Sequence, residues 1–81
     1  MFDRLKQLNN LRQMQKTAEA ERATAEHEGV RVTLNGKLEV VELSLNPALA
    51  VARQEELLKR CFNEAGTAAQ MALAKKLSGM F

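Results

Sequence analysis

The chain contains one cysteine, one proline and one histidine, and no tryptophan or tyrosine. Each shortage excludes something. Cys61 has no partner for a disulfide within the chain. His27 and Cys61 lie far apart in sequence, with no CxxC or HxxxH company, so no metal cluster is read here. Three phenylalanines, Phe2, Phe62 and Phe81, are too few for a base-stacking platform of the single-strand or RNA-binding type. Gly29, Gly36, Gly66 and Gly79 form no phosphate-cradling loop. No apolar run approaches the ~18 residues that a membrane span needs. The opening residues, Met-Phe-Asp-Arg-Leu-Lys, lack the apolar region of a signal peptide. A soluble cytoplasmic protein is expected, and a single unpaired cysteine fits a reducing compartment.

An enzyme needs a nucleophile with a base, a carboxylate pair in a pocket, or a metal. His27 stands between Glu26 and Glu28 with no sequence-visible nucleophile, and reads as a surface histidine. Cys61 falls on an apolar stripe beside Phe62, where cysteine behaves as a small buried hydrophobe. Neither an enzyme nor a cofactor is expected. The chain of 81 residues reads as one domain, 1–81. A chain this short buries only about 60% of its unfolded surface, so a second copy is expected to complete the core.

Charge is more informative by position than by total. The net charge is only +2. From Met1 to Ala18, Asp3 faces Arg4, Lys6, Arg12 and Lys16, for a net +3. From Glu19 to Glu28, four glutamates face Arg22, for a net −3. From Leu57 to Phe81, Lys59, Arg60, Lys75 and Lys76 face Glu64, again for a net +3. Basic ends of this kind point to an anionic partner, while a patchy solvated surface would read the same way.

Between two helical patterns lies Val30 to Pro47, Val-Arg-Val-Thr-Leu-Asn-Gly-Lys-Leu-Glu-Val-Val-Glu-Leu-Ser-Leu-Asn-Pro. Val30, Val32 and Leu34 alternate with polar residues, the period of a half-buried strand. Asn35-Gly36 is the signature of a two-residue hairpin turn with positive φ. Leu38 and Val40 then share one parity, and Val41, Leu43 and Leu45 the other. A β-bulge at this point would absorb the extra residue. Asn46-Pro47 closes the run, with Asn suited to an N-cap and Pro to a first helical position; the second helix begins at or after Pro47, with Ala48 to Ala52 either part of it or a separate turn.

The first helix is expected from about residue 4 to residue 26, with Asp3 as N-cap. Good helix formers fill it and Gly29 stops it. Such a helix is about 34 Å long, whereas a six- or seven-residue strand spans roughly 20–24 Å. The helix must overhang the sheet. The second helical stripe runs through Leu58, Cys61, Phe62, Ala65, Ala68, Ala69, Ala72, Leu73 and Leu77, and Ser78-Gly79 ends it. Gly66 inside it hints at close packing. Met80 and Phe81 follow as a short apolar tail. The fold class is α+β: a long N-terminal helix, an antiparallel hairpin and a C-terminal helix, with both helices on one face of a small sheet. Arg4, Lys6, Arg12 and Lys16 on the first helix, and Lys75 and Lys76 at the end of the second, are the candidate phosphate contacts.

The order Val-x-Val-x-Leu-Asn-Gly, Glu-Val-Val-x-Leu-x-Leu-Asn-Pro and Phe-Asn-Glu-Ala (Val30 to Ala65) after a Gln-, Lys- and Met-containing helix resembles the YbaB/EbfC family of bacterial nucleoid-associated proteins. The resemblance implies a tweezer-shaped homodimer with paired sheets and projecting helical arms that bind double-stranded DNA. By position, Arg4, Lys6, Arg12 and Lys16 match the arm, and Lys75 and Lys76 match the far end of the last helix. Family members usually carry a further strand and a glycine-rich turn after the first helix. Glu26-His27-Glu28-Gly29 reads as too short for both, so a compact variant is expected. The favoured function is a nucleoid-associated homodimer that grips duplex DNA through phosphates, with no small-molecule substrate. The alternative is a protein–protein adaptor that docks through Leu5, Leu8, Leu11 and Met14.

Overall fold

A computed structural model describes residues 2–79, with Phe2 described by its backbone alone. The apolar tail read at Met80 and Phe81 lies outside the described residues. The elements follow as α1 (Phe2–Ala20), β1 (Ala23–His27), β2 (Val30–Leu34), β3 (Val40–Ser44) and α2 (Val51–Ser78). The strands form one antiparallel sheet in the order β1-β2-β3. The α+β class stands, with one strand more than the hairpin expected from the sequence.

The extra strand corrects the length of the first helix. Helix α1 stops at Ala20, and Asp3 lies inside its first turn, where a carboxylate favours the helix dipole, instead of capping it. The Arg22 guanidinium donates to the carbonyls of Glu19 at 2.6 Å and Glu21 at 2.7 Å, closing the helix end. From Ala23 the backbone pairs with β2, and the Thr24 and Thr33 hydroxyls bond across the strands at 2.7 Å. This pairing outweighs the helix preference of the alanines and glutamates, since propensity differences are only tenths of a kcal/mol per residue. Glu28 and Gly29, at φ 51° and 85°, make the two-residue turn between His27 and Val30. Positive φ at both central residues matches the right-handed twist of the strands they join. The segment read as too short, Glu26 to Gly29, thus holds only the turn and the end of the additional strand, whose first residues, Ala23 to Ala25, come from the stretch expected as helix.

The turn expected at Asn35-Gly36 is a wider loop. Asn35 Oδ1 accepts the backbone N–H groups of Lys37 at 2.9 Å and Glu39 at 3.0 Å. The Asn35 N–H donates to the Glu39 carbonyl at 3.0 Å. The loop spans residues 35–39, and its positive φ falls on Leu38. Gly36 serves a different need. Its N–H donates to the Ala18 carbonyl at 2.8 Å. A Cβ there would lie 2.9 Å from both Ala18 Cα and Ala18 O. Gly36→Ala is expected to destabilise the fold by about 1–3 kcal/mol through overpacking against helix backbone. Urea denaturation measures this, and an unchanged midpoint would contradict it.

The bulge falls where the parity change puts it. Thr33 pairs with Glu42 and Leu34 with Val40, leaving Val41 as the extra residue. Val40 and Leu43 thus share a sheet face with Leu34 and Val32, and Leu45 continues that parity.

Helix α2 begins at Val51, after Pro47, and the residues between form a separate turn. Asn46 organises a turn, its Oδ1 accepting from Ala48 at 3.1 Å and its carbonyl from Leu49 at 3.1 Å. Its Nδ2 donates to the Glu28 carbonyl at 2.7 Å and its N–H to Gln54 Oε1 at 2.6 Å. One side chain and its backbone so tie the β1–β2 turn to the first turn of α2. Ala50 is the N-cap, and Gly79 follows the last helical residue.

The core lies between α2 and the first two strands. Val30, Val32 and Leu34 pack on Leu57, Cys61 and Ala65, all buried. Leu57, Cys61, Ala65 and Ala69 recur every four residues, one above another on the helix face. Cys61 Sγ donates to the Val30 carbonyl at 3.3 Å, and burial pushes its thiol above the usual range. Phe62, read as part of the buried stripe, is 44% exposed. A Cβ at Gly66 would make only ordinary contact with Leu34 and Leu38, so no close packing demands glycine there. Helix α2 covers β1 and β2 and leaves β3 bare, while α1 packs on no strand among the described residues. The expectation of both helices on one sheet face is therefore corrected. Helix α1 touches α2 only near its end, and the molecule extends 59 × 17 × 14 Å.

Candidate nucleic-acid interface

Residues 3–13 of α1 are all exposed. Arg4, Leu8, Arg12 and Lys16 follow one another at steps of four, a single row along the helix. Arg4 and Lys16 are thus separated by about 18 Å along the axis. Lys6 is exposed on another side of the same helix. Among the described residues, none of these four cations has a carboxylate within ion-pairing distance. An unneutralised guanidinium or ammonium in water is free to exchange its counterions for a phosphate.

The cations of the body divide: Arg31, Lys59 and Arg60 have no carboxylate within ion-pairing distance among the described residues, as on the arm, whereas others are paired. Lys37 meets Glu19 at 3.5 Å, and Arg53 bridges Glu28 and Glu56. The bond to Glu28 leads in holding the Arg53 guanidinium above its ordinary value. Lys75 and Lys76 stand in the last turn of α2. Lys75 is exposed, with no carboxylate in reach among the described residues. Lys76 pairs with Glu21, whose side chain is only 8% exposed.

The six sequence-predicted residues are therefore not one patch. Arg4 and Lys6 lie far out on α1, about 21–24 Å along the helix from its end. Lys16 lies near that end, as do Lys75 and Lys76, because Glu21 meets Lys76 there. The acidic segment is divided in the same way. Glu19 and Glu21 stand where α1 meets the body, whereas Glu28 lies in the turn at the opposite end of the sheet. Acidic and basic residues therefore meet at the root of α1, and Glu28 at the far end of the sheet is paired with Arg53.

A second surface is apolar. Val40 and Leu43 of β3, with Leu45 beyond it, are exposed on the β3 part of the sheet face that α2 covers only over β1 and β2. Beside them runs a groove lined by Val32, Leu58, Lys59, Phe62 and Asn63. The sequence alternation gives Leu43 and Leu45 the parity of a buried face, and both are exposed among the described residues. On α1, Leu5, Leu8 and Leu11 are also more than half exposed.

His27 Nε2 lies 2.7 Å from Glu64 Oε2, an exposed pair at the Glu28 end of the sheet. Among the described residues no three His, Cys, Asp or Glu side chains come together as a metal site. None of the described helices is long and apolar enough to cross a membrane.

Comparison with known proteins adds one finding. The model of the YbaB/EbfC DNA-binding family matches residues 1–81, the whole chain. No curated protein and no solved structure matches it.

Proposed function

Because the chain belongs to the YbaB/EbfC DNA-binding family, we propose that it works as a homodimer whose two α1 helices grip duplex DNA by its phosphates. The observation that carries this reading is the row of unneutralised cations on a helix that leaves the body. Arg4, Lys6, Arg12 and Lys16 have no internal partner among the described residues, and Lys75 lies free near the helix root. Long cationic side chains meeting phosphates give affinity with strong salt dependence and little sequence information. A nucleoid-associated, cytoplasmic role follows from that kind of contact.

The dimer rests on the apolar face. Val40, Leu43, Leu45, Leu58 and Phe62 form a contiguous apolar strip larger than isolated surface leucines would make. Covering it with the same strip of a second copy closes the part of that sheet face, over β3, that α2 leaves open and sets two arms on one body. A two-fold arrangement of this kind needs only one self-complementary patch.

Arg12→Ala and Lys16→Ala are each expected to weaken binding to all duplex sequences alike. Each should also flatten the plot of log affinity against log salt by about one unit for every phosphate no longer neutralised. His27→Ala, at the opposite end, should leave both unchanged. Fluorescence anisotropy with two unrelated duplexes tests this; equal slopes in native protein and arm variants would rule out phosphate binding by α1. A second reading keeps some support from the exposure of Leu5, Leu8 and Leu11, at 58%, 53% and 53%. In it the arm docks a protein, and Leu8→Glu abolishes function while DNA affinity is kept.

A further inference from the structure

Helix α1 and strand β1 are joined by only Glu21 and Arg22. A helix on so short a joint points wherever its last turn is held. Three polar contacts are among those that hold it. The Gly36 N–H donates to the Ala18 carbonyl at 2.8 Å, in a space that no side chain fits. Lys37 reaches Glu19 at 3.5 Å, an exposed pair that water and salt weaken. Lys76 pairs with Glu21.

The third contact differs in kind. The Glu21 carboxylate is 8% exposed, and apart from Lys76 its Oε2 has no hydrogen-bond partner among the described residues. A charge screened from water and left alone is costly, so the carboxylate holds its one cation firmly. Lys76 belongs to the last turn of α2, and the preceding turn carries Leu73, whose Cδ2 is among the atoms nearest to Gly36. The end of α2 thus reaches both the joint and the loop on which α1 sits.

We infer that Lys76 is a positioning residue: through Glu21 it fixes the direction of α1, and it does not contact phosphate itself. Moving its ammonium to a phosphate would strand Glu21. Lys75, one residue earlier and unpaired among the described residues, is the phosphate contact of this helix end. The inference rests on the DNA-gripping reading for its consequence and on the joint alone for its geometry. A fixed arm arrives at the duplex already aimed, and a loose one binds more weakly because its freedom must be given up on binding. Preorganisation of this kind changes the affinity without changing the number of counterions released.

Two readouts separate positioning from contact. The first is hydrogen exchange of the Gly36 amide, followed by NMR in the full chain without DNA. Its bond to Ala18 reports directly whether the end of α1 is seated. Lys76→Met and Glu21→Gln are expected to speed that exchange on the order of tenfold or more, and Lys76→Arg to leave it as in the native protein. The second is the salt slope of duplex binding. Lys76→Met should lower affinity on the order of tenfold at every salt concentration with the native slope. Lys75→Ala should flatten the slope by about two units, one for each copy in the dimer, and leave Gly36 exchange unchanged. Native Gly36 protection in Lys76→Met overturns the inference, and so does a slope flattened as in Lys75→Ala. If the native protein binds no duplex, the DNA reading fails, and the amide exchange still decides the positioning role.

Discussion

Leu43→Glu is expected to leave the protein monomeric at micromolar concentration and to lower its affinity for duplex DNA on the order of a hundredfold or more. Leu43 is 56% exposed in the single chain, in the middle of the strip formed by Val40, Leu45, Leu58 and Phe62. Within the protomer it lies outside the cover of α2 and pairs with Val32 across the sheet. The substitution should therefore leave the monomer fold intact, as surface changes do. Against a second copy it places a carboxylate in each half of an apolar interface, and a charge buried without a partner opposes association strongly. The fall in DNA affinity follows from valency. Two arms on one body hold the duplex at a high effective concentration, worth roughly 10²–10⁴ over one arm. Sedimentation gives the mass and circular dichroism the fold. A variant that stays dimeric places the interface elsewhere. A native chain that is already a folded monomer would refute the dimer itself.

The second large effect is expected from the arm itself. A variant with Arg4→Ala, Arg12→Ala and Lys16→Ala lacks three unneutralised cations of one row on α1. None of the three is buried or paired among the described residues, so the melting temperature should move little. A protein with 6–10 phosphate contacts loses about 10³–10⁵ in affinity between 50 and 200 mM salt. Removing three cations from each of two arms takes away most of that count. At low salt the variant should bind on the order of a hundredfold or more weaker than the native protein, and it should respond far less to added salt.

The core and the bulge are legible in the sequence, and the sheet edge and the helix root are not. Val30, Val32 and Leu34 alternate as a strand and are buried as one. The double valine at Val40-Val41 announces the bulge that the register contains. Strand β1 is hidden because alanine fills its inner positions, Ala23 and Ala25, and alanine reads as helix. Its visible signal is Glu28-Gly29, a turn dipeptide immediately before a strand. Asn35-Gly36 misleads for a related reason. The dipeptide fits a tight turn, but the Asn35 side chain binds Lys37 and Glu39, and Gly36 is needed where α1 comes close. Periodicity also places Phe62 in the core, because it cannot tell that α2 is one strand short of covering the sheet. The arm cations can be found from charge and spacing. That Lys76 differs from Lys75 cannot, since Glu21 is distant in sequence and meets it only in the fold.

The most direct measurement is a salt titration of duplex binding, with the native protein and the Arg4→Ala, Arg12→Ala, Lys16→Ala variant side by side on two unrelated DNA sequences. For the native protein, log affinity should fall steeply and linearly with log salt, nearly the same on both sequences. The variant should give a markedly shallower line. Parallel lines for the two proteins, or native binding confined to one of the two sequences, would contradict a DNA grip made by the cations of α1 on phosphates.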